Sequence, residues 1–195
     1  MIRVEETADS VPLRTLYLRA FGDEGPQTAD LVDGLREHPC GRDGVSYVAD
    51  VDGLLAGHVM VTRNRLDTLV RLVDVGVLSP LAVDPDHQRR GLGRDLVARA
   101  VSAADELGLP ALFLEGDPAY YSRLGFVAAK PLGFRKPSIR TPDAAFQVMT
   151  LSSYEPWMTG TLVYAEPFWD LDCVGLRDPR FLQWLAGEVA EGREL

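Results

Sequence analysis

The stretch DPDHQRRGLGRDLV, residues 84–97, sets Arg89, Arg90 and Arg94 against Gly91 and Gly93. A run of apolar residues ends just before it and a helical stripe begins just after it. At such a strand-to-helix junction the first helical N–H groups have no intrahelical acceptor, and the helix dipole adds partial positive charge. Glycines remove the Cβ atoms that would hold a ligand off the backbone. These residue types at this spacing suit a pyrophosphate. They also suit a polar turn in which the glycines only reverse the chain. Neither GxGxxG nor GxxxxGK[ST] is present, so spacing excludes a dinucleotide fingerprint and a nucleotide triphosphatase loop.

Other reactive side chains are scattered. His38, His58 and His87 share no cluster, and Cys40 and Cys173 lie far apart without a CxxC, so no metal site and reduced thiols are expected. The 195 residues carry a net charge of −9, which argues against a nucleic-acid partner. That balance fits either a cationic small molecule as partner or a plain solubility role. No window approaches the roughly 18 apolar residues of a membrane span. The first ten residues lack a signal pattern, so a cytoplasmic protein is expected, with no membrane partner.

The elements that position the cradle follow from periodicity. Residues 2–4 read as a short strand. Leu13, Leu16, Tyr17, Ala20 and Phe21 recur at helical spacing after Ser10, the expected N-cap. A second helix is expected over TADLVDGLREH, between Pro26 and Pro39. VSYVADVDGLLAGHVMVT reads as a hairpin turning at Asp52-Gly53. Residues 73–83 are almost wholly apolar, as in a strand buried on both faces. Pro80 inside that strand marks a bulge or a parting from its neighbour, because proline cannot donate to a ladder. Leu92, Leu96, Val97, Ala100, Val101, Ala104 and Leu107 form one helical stripe that stops at Gly108. PALFLEG is a further strand. Asp117-Pro118 caps a short helix that ends at Gly125. FVAA and FQVMTL read as strands. The basic, proline-rich segment 130–143 is expected as a long connection. The tail from Tyr154 holds Trp157, Trp169 and Trp184 and ends in an amphipathic stretch, RDPRFLQWLAGEVAEG. A helix crossing between strands 73–83 and 111–115 implies a mixed α/β sheet, of α+β class, with at least one parallel pair.

LAVDPDHQRRGLG, residues 81–93, resembles the acyl-CoA-binding motif of the GNAT superfamily of N-acyltransferases. A hairpin precedes it, the strand breaks at Ser79-Pro80 where that family splays two strands, and YYSRLGF (120–126) resembles the family's Y-x-x-x-G-F signature. FLEGDPAYYSRLGFVAA together with GTLVYAEPFW is similar to the YhbS-like branch of the superfamily. The resemblance implies a GNAT-type mixed, mostly antiparallel sheet with a splayed central parallel pair over residues 1–153. Residues 154–195 would be an extension packed on the same domain.

The resemblance also implies roles. Acetyl-CoA would be the co-substrate, its pantetheine arm pairing with Leu81, Ala82 and Val83 like an added strand. Its pyrophosphate would rest on Gln88, Arg89, Arg90, Gly91, Leu92, Gly93 and Arg94. Tyr121, four residues before Gly125, would be the general acid, and Tyr120 a structural residue or a cofactor wall. The family's strand-four glutamate falls at Val77, so the base is open among Asp74, His58, a water chain or an acceptor that binds already neutral. Glu115 would sit near the acceptor mouth, as a cation-binding group or a solvated loop residue. The acceptor would be a primary amine, its pocket lined by the first helices, a hairpin loop over 63–68 and segment 130–143 or the tail. Two function classes follow: an N-acetyltransferase, or a binding module that kept the cradle and lost the chemistry. The Trp-rich tail makes a homodimer a further candidate.

Overall fold

The computed structural model describes residues 1–175. Its strands are β1 (Ile2–Val4), β2 (Val45–Val51), β3 (Leu54–Thr68), β4 (Leu72–Val83), β5 (Ala111–Glu115), β6 (Val127–Ala128), β7 (Phe146–Thr150) and β8 (Gly160–Val163). Its helices are α1 (Ser10–Phe21), α2 (Gly25–Glu37), α3 (Pro39–Arg42), α4 (Leu92–Glu106), α5 (Pro118–Tyr121) and α6 (Glu166–Asp170). The strands run in the order β1-β2-β3-β4-β5-β7-β6, and β8 pairs with the far end of β3. Among the described residues, every pairing between two of these strands is antiparallel except β4–β5. The expected class, a mixed and mostly antiparallel sheet flanked by helices, is the class observed.

Alternation along the strands sends side chains into two cores, one on each face of the sheet. Val73, Val75 and Val77 of β4 and Phe113 of β5 pack with Leu13, Tyr17 and Leu35 of α1 and α2. Leu112 and Leu114 face Leu96, Val97 and Ala100 of α4. The β2–β3 hairpin turns at Asp52 and Gly53 with φ of 54° and 81°, as a tight primed turn requires.

The sheet opens where Pro80 predicts it. Val61 pairs with Leu78 and Val59 with Leu81, so a step of two residues on β3 faces a step of three on β4. That extra residue is a β-bulge at Ser79-Pro80, and it turns Leu81 and Val83 toward the α4 face. The parallel ladder between β4 and β5 holds only at Gly76–Leu112 and Val77–Phe113. Beyond it β4 runs on to Val83, while β5 turns away paired with β7.

Some expectations change. Residues 63–68 are not a hairpin loop. They continue β3, paired on one side with β4 and on the other with β8. Their polar pattern fits a strand because Asn64 is buried and hydrogen-bonded, donating to Thr62 and accepting from the Ala165 N–H at 2.8 Å. Ser10 is the first residue of α1 rather than its cap. A 3-10 turn over 7–9 precedes it, and Asp9, held by Arg3 at 2.6 and 2.7 Å, accepts from the Glu6 N–H. Helix α2 starts at Gly25, ahead of the expected boundary. The amphipathic stretch 177–192, with Trp184, lies outside the described residues. Among the described residues, no helix is long and apolar enough to cross a membrane.

Candidate active site

Two cavities flank the bulged stretch of β4, one against Leu81 and Val83 and the other against Ser79 and Pro80. The first is a groove of about 360 Å³ between the end of β4 and the start of α4. Leu81 and Val83 form one wall, Gln88, Arg89, Gly91, Gly93 and Arg94 the floor, and Tyr120 the far side. The loop before α4 is fixed from several directions. The Gln88 side chain donates to the Val83 carbonyl at 3.1 Å, and buried Asp84 accepts from the Asp86 N–H at 3.0 Å. Arg19 of α1 reaches across to both Asp84 and Asp86.

Glycine is required here at two positions. Gly91 caps α4 with φ of 89°, a left-handed conformation that side chains resist. A Cβ on Gly93 would stand 2.6 Å from the Tyr120 hydroxyl and 3.5 Å from Val83, so any side chain would fill the groove. Arg89, Arg90 and Arg94 are exposed, and Arg94 also pairs with Asp95 at 2.9 Å. Arg90 is not among the described residues lining the groove, and Ala82 is buried beneath it, opposite His58 on β3.

The second cavity, about 290 Å³, lies on the α1–α2 face. Ser79 and Pro80 of the bulge and Glu115 at the end of β5 form its inner end. Phe21, Leu31, Tyr164 and Phe168 form apolar walls. Glu115 lies two residues beyond Phe113, the partner of Val77, and therefore on the same face of the sheet. Burial pushes its carboxyl above the usual carboxylate range, although the Tyr164 hydroxyl, donating at 2.9 Å, works against that shift. Tyr164 is itself held by the turn between β8 and α6: it stacks on Phe168 at 4.8 Å, and its carbonyl accepts from Trp169 at 3.1 Å.

Tyr121 packs edge-on to Tyr120 and Phe126, with its ring against Gly116, the neighbour of Glu115. Burial, then the adjacent Tyr120, raise its phenol well above the ordinary value, so it is protonated and can donate.

The two side chains that the sequence offered as the base stand elsewhere. Asp74 sits near the start of β4, five residues or about 16 Å of strand from Ser79, paired with Arg63 and Arg65. His58 is a core histidine. Its Nδ1 meets the Tyr17 hydroxyl, and its Nε2 lies 2.7 Å from Ser46 Oγ and 3.2 Å from Glu5. Sequence reasoning missed Tyr164 and Glu24, which reach the second cavity from the tail and from the α1–α2 connection. The only sequence signal for Tyr164 is its place in GTLVYAEPFW.

Comparison with known proteins bears on this arrangement. Residues 11–134 match the model of the acetyltransferase (GNAT) family. The uncharacterized N-acetyltransferase YhbS of Escherichia coli is 33% identical over 171 residues, 86% of this chain and 98% of that protein. Its crystal structure in complex with CoA superposes with a TM-score of 0.76, over 86% of this chain and 91% of that one. The uncharacterized N-acetyltransferase YjhQ, also of E. coli, is 28% identical over 84% of this chain and 91% of its own length. A GNAT-family acetyltransferase from Brucella melitensis, solved with acetyl-CoA, shares the fold at 24% identity and a TM-score of 0.67, over 86% of this chain and 97% of that one.

Proposed function

The chain belongs to the GNAT family of N-acetyltransferases, and from that premise we propose that it carries acetyl from acetyl-CoA directly to the primary amine of a small molecule. The observation that carries this reading is the pair of cavities on either side of the bulged end of β4, one suited to a diphosphate and the other ending in the half-buried carboxylate of Glu115.

The groove residues fit acetyl-CoA. Leu81 and Val83 lie on the stretch of β4 that β5 leaves unpaired, where a pantetheine arm can take the place of a strand. The first N–H groups of α4, with Arg89 and Arg94 beside them, suit the pyrophosphate. Tyr120, placed against Gly93, acts as a wall for the cofactor.

The acceptor enters from the second cavity. An ammonium cannot attack, so its proton must leave first. Glu115 is positioned to take it, and a carboxyl raised by burial is a stronger base than an exposed one. The role that the family's strand-four carboxylate fills elsewhere thus moves from Val77 to the neighbouring strand. The amine nitrogen then bonds to the thioester carbonyl carbon, giving a tetrahedral intermediate, and the C–S bond breaks as it collapses. Tyr121, protonated and beside Gly116, gives its proton to the departing thiolate, and the extra proton on the new amide nitrogen passes to the phenolate so formed.

The direct test is calorimetric titration with acetyl-CoA, with adenosine 3′,5′-bisphosphate as control, followed by turnover with and without Glu115→Gln. Micromolar binding that needs the pantetheine arm, and turnover that falls in the variant, support the reading. Absence of acetyl-CoA binding overturns it.

A further inference from the structure

The second cavity also carries information about which amine it takes. Its volume of about 290 Å³ is at the lower end of the roughly 300–1,000 Å³ typical of small-molecule sites. Glu115 closes the inner end beside the bulge, and Glu24 lies toward Cys173 on the lining. Burial, and then the nearby Glu24, push the Cys173 thiol up to about 11, so that wall is an uncharged thiol at neutral pH. Between these points Phe21, Leu31 and Phe168 supply hydrocarbon and aromatic wall, and Asp172 adds a third carboxylate to the lining.

Two further features narrow the choice. No lysine, arginine or histidine is among the described lining residues. Arg140 stands behind the lining: it pairs with Asp172 at 3.7 Å, donates to the Val174 carbonyl at 3.0 Å and weakly favours the charged form of Glu115. Two neutral polar side chains of the lining are also engaged: Gln27 donates to the Leu171 carbonyl and Thr28 to the Glu24 carbonyl. A carboxylate on the acceptor would therefore face the carboxylates of Glu24, Glu115 and Asp172, with Arg140 already committed to Asp172.

We infer that the acceptor is a compact amine with an apolar body and a second cationic group, an α,ω-diamine in the simplest case. One nitrogen reacts at Glu115 while the other cation lies toward Glu24. The inference rests on the reading of this cavity as the acceptor site.

The test uses three acceptors of one length, 1,4-diaminobutane, 1-aminobutane and 4-aminobutanoate, whose remote group is cationic, neutral and anionic. With acetyl-CoA saturating, kcat/KM is expected to fall in that order, by at least about tenfold from first to last. The spread should contract in 0.5 M salt, because Glu24 is solvent-exposed. Glu24→Gln is expected to narrow the ratio between diamine and monoamine. Transfer to 1-aminobutane as fast as to the diamine overturns the inference while leaving the acetyltransferase reading in place. Bound acetyl-CoA with no transfer to any of the three removes the reading on which it rests.

Discussion

The Tyr164 hydroxyl donates to Glu115 Oε1 at 2.9 Å across 49 residues of sequence, joining the end of β5 to the turn that follows β8. This contact holds a half-buried carboxylate beside the bulge and limits how far desolvation raises its pKa. Removing the hydroxyl removes a stabiliser of the charged form. In Tyr164→Phe the acidic limb of the kcat/KM profile should move to higher pH, by about one unit or less. Glu115→Gln should abolish that limb and lower kcat by about 10²–10⁴. A limb that stays in place in Tyr164→Phe would belong to the acceptor amine instead. Because the folded carboxyl binds its proton more tightly than an unfolded one, ionising it costs stability as pH rises through the carboxylate range. Glu115→Gln should therefore melt higher than the parent at pH 7.

Tyr120 and Tyr121 are adjacent but face different tasks. Tyr120 lines the groove near Gly93, while Tyr121 lies against Gly116. Tyr121→Phe should lower kcat by about 10² or more with little change in the KM for acetyl-CoA. Tyr120→Phe should act mainly on that KM. Steady-state kinetics on the two variants separates the roles, and an unchanged kcat in Tyr121→Phe would leave that ring a packing residue only.

The parts of this arrangement that were legible in the sequence are those encoded locally. Asp52-Gly53, Pro80, the glycines of α4 and the Asp117 cap each fix the backbone within a few residues, and each is found where expected. Asp117 accepts from the Ala119 N–H at 2.8 Å. What the sequence concealed depends on distant contacts. Residues 63–68 look polar enough for a loop, and only the pairing with β8 and the Ala165–Asn64 bond make them strand. Glu115 could not be told from a solvated loop glutamate without Tyr164. His58 and Asp74 looked available because the groups that engage them, Tyr17 and Glu5 for one and Arg63 and Arg65 for the other, come from other elements or the facing strand.

Gly93→Asp should separate binding from folding. An acidic residue in the first turn of a helix is favourable to the helix. The same side chain would collide with Tyr120 and set a negative charge against a diphosphate. Acetyl-CoA binding should weaken by well over about tenfold, while the circular dichroism spectrum and melting temperature stay near the parent values. Retained binding would show that the groove does not hold the pyrophosphate.

The buried network around His58 should set the acid stability of the fold. Burial lowers the pKa of His58, with Glu5 opposing the shift, so the folded protein keeps the ring neutral. The unfolded chain takes up that proton below about pH 6.5. Stability should therefore begin to fall as pH drops through 6.5, at up to about 1.4 kcal/mol per pH unit. Glu5 adds a second window. Burial alone would raise its carboxyl, but hydrogen bonds from His58 and Ser46, with the Arg36 guanidinium, outweigh burial and hold it at about 2. Its contribution is complete above about pH 4.5 and is lost as pH falls toward 2. Urea midpoints across pH 7.5 to about 3 should slope for the parent, and the part between pH 6.5 and 5 should flatten for His58→Gln. Glu5→Gln should keep the upper slope, flatten the lower one, and lose about 1.5–3 kcal/mol at pH 7 from the broken charged hydrogen bonds. Equal slopes in parent and His58→Gln between pH 6.5 and 5 would mean that the ring is protonated in the folded state, with Glu5 as its counterion.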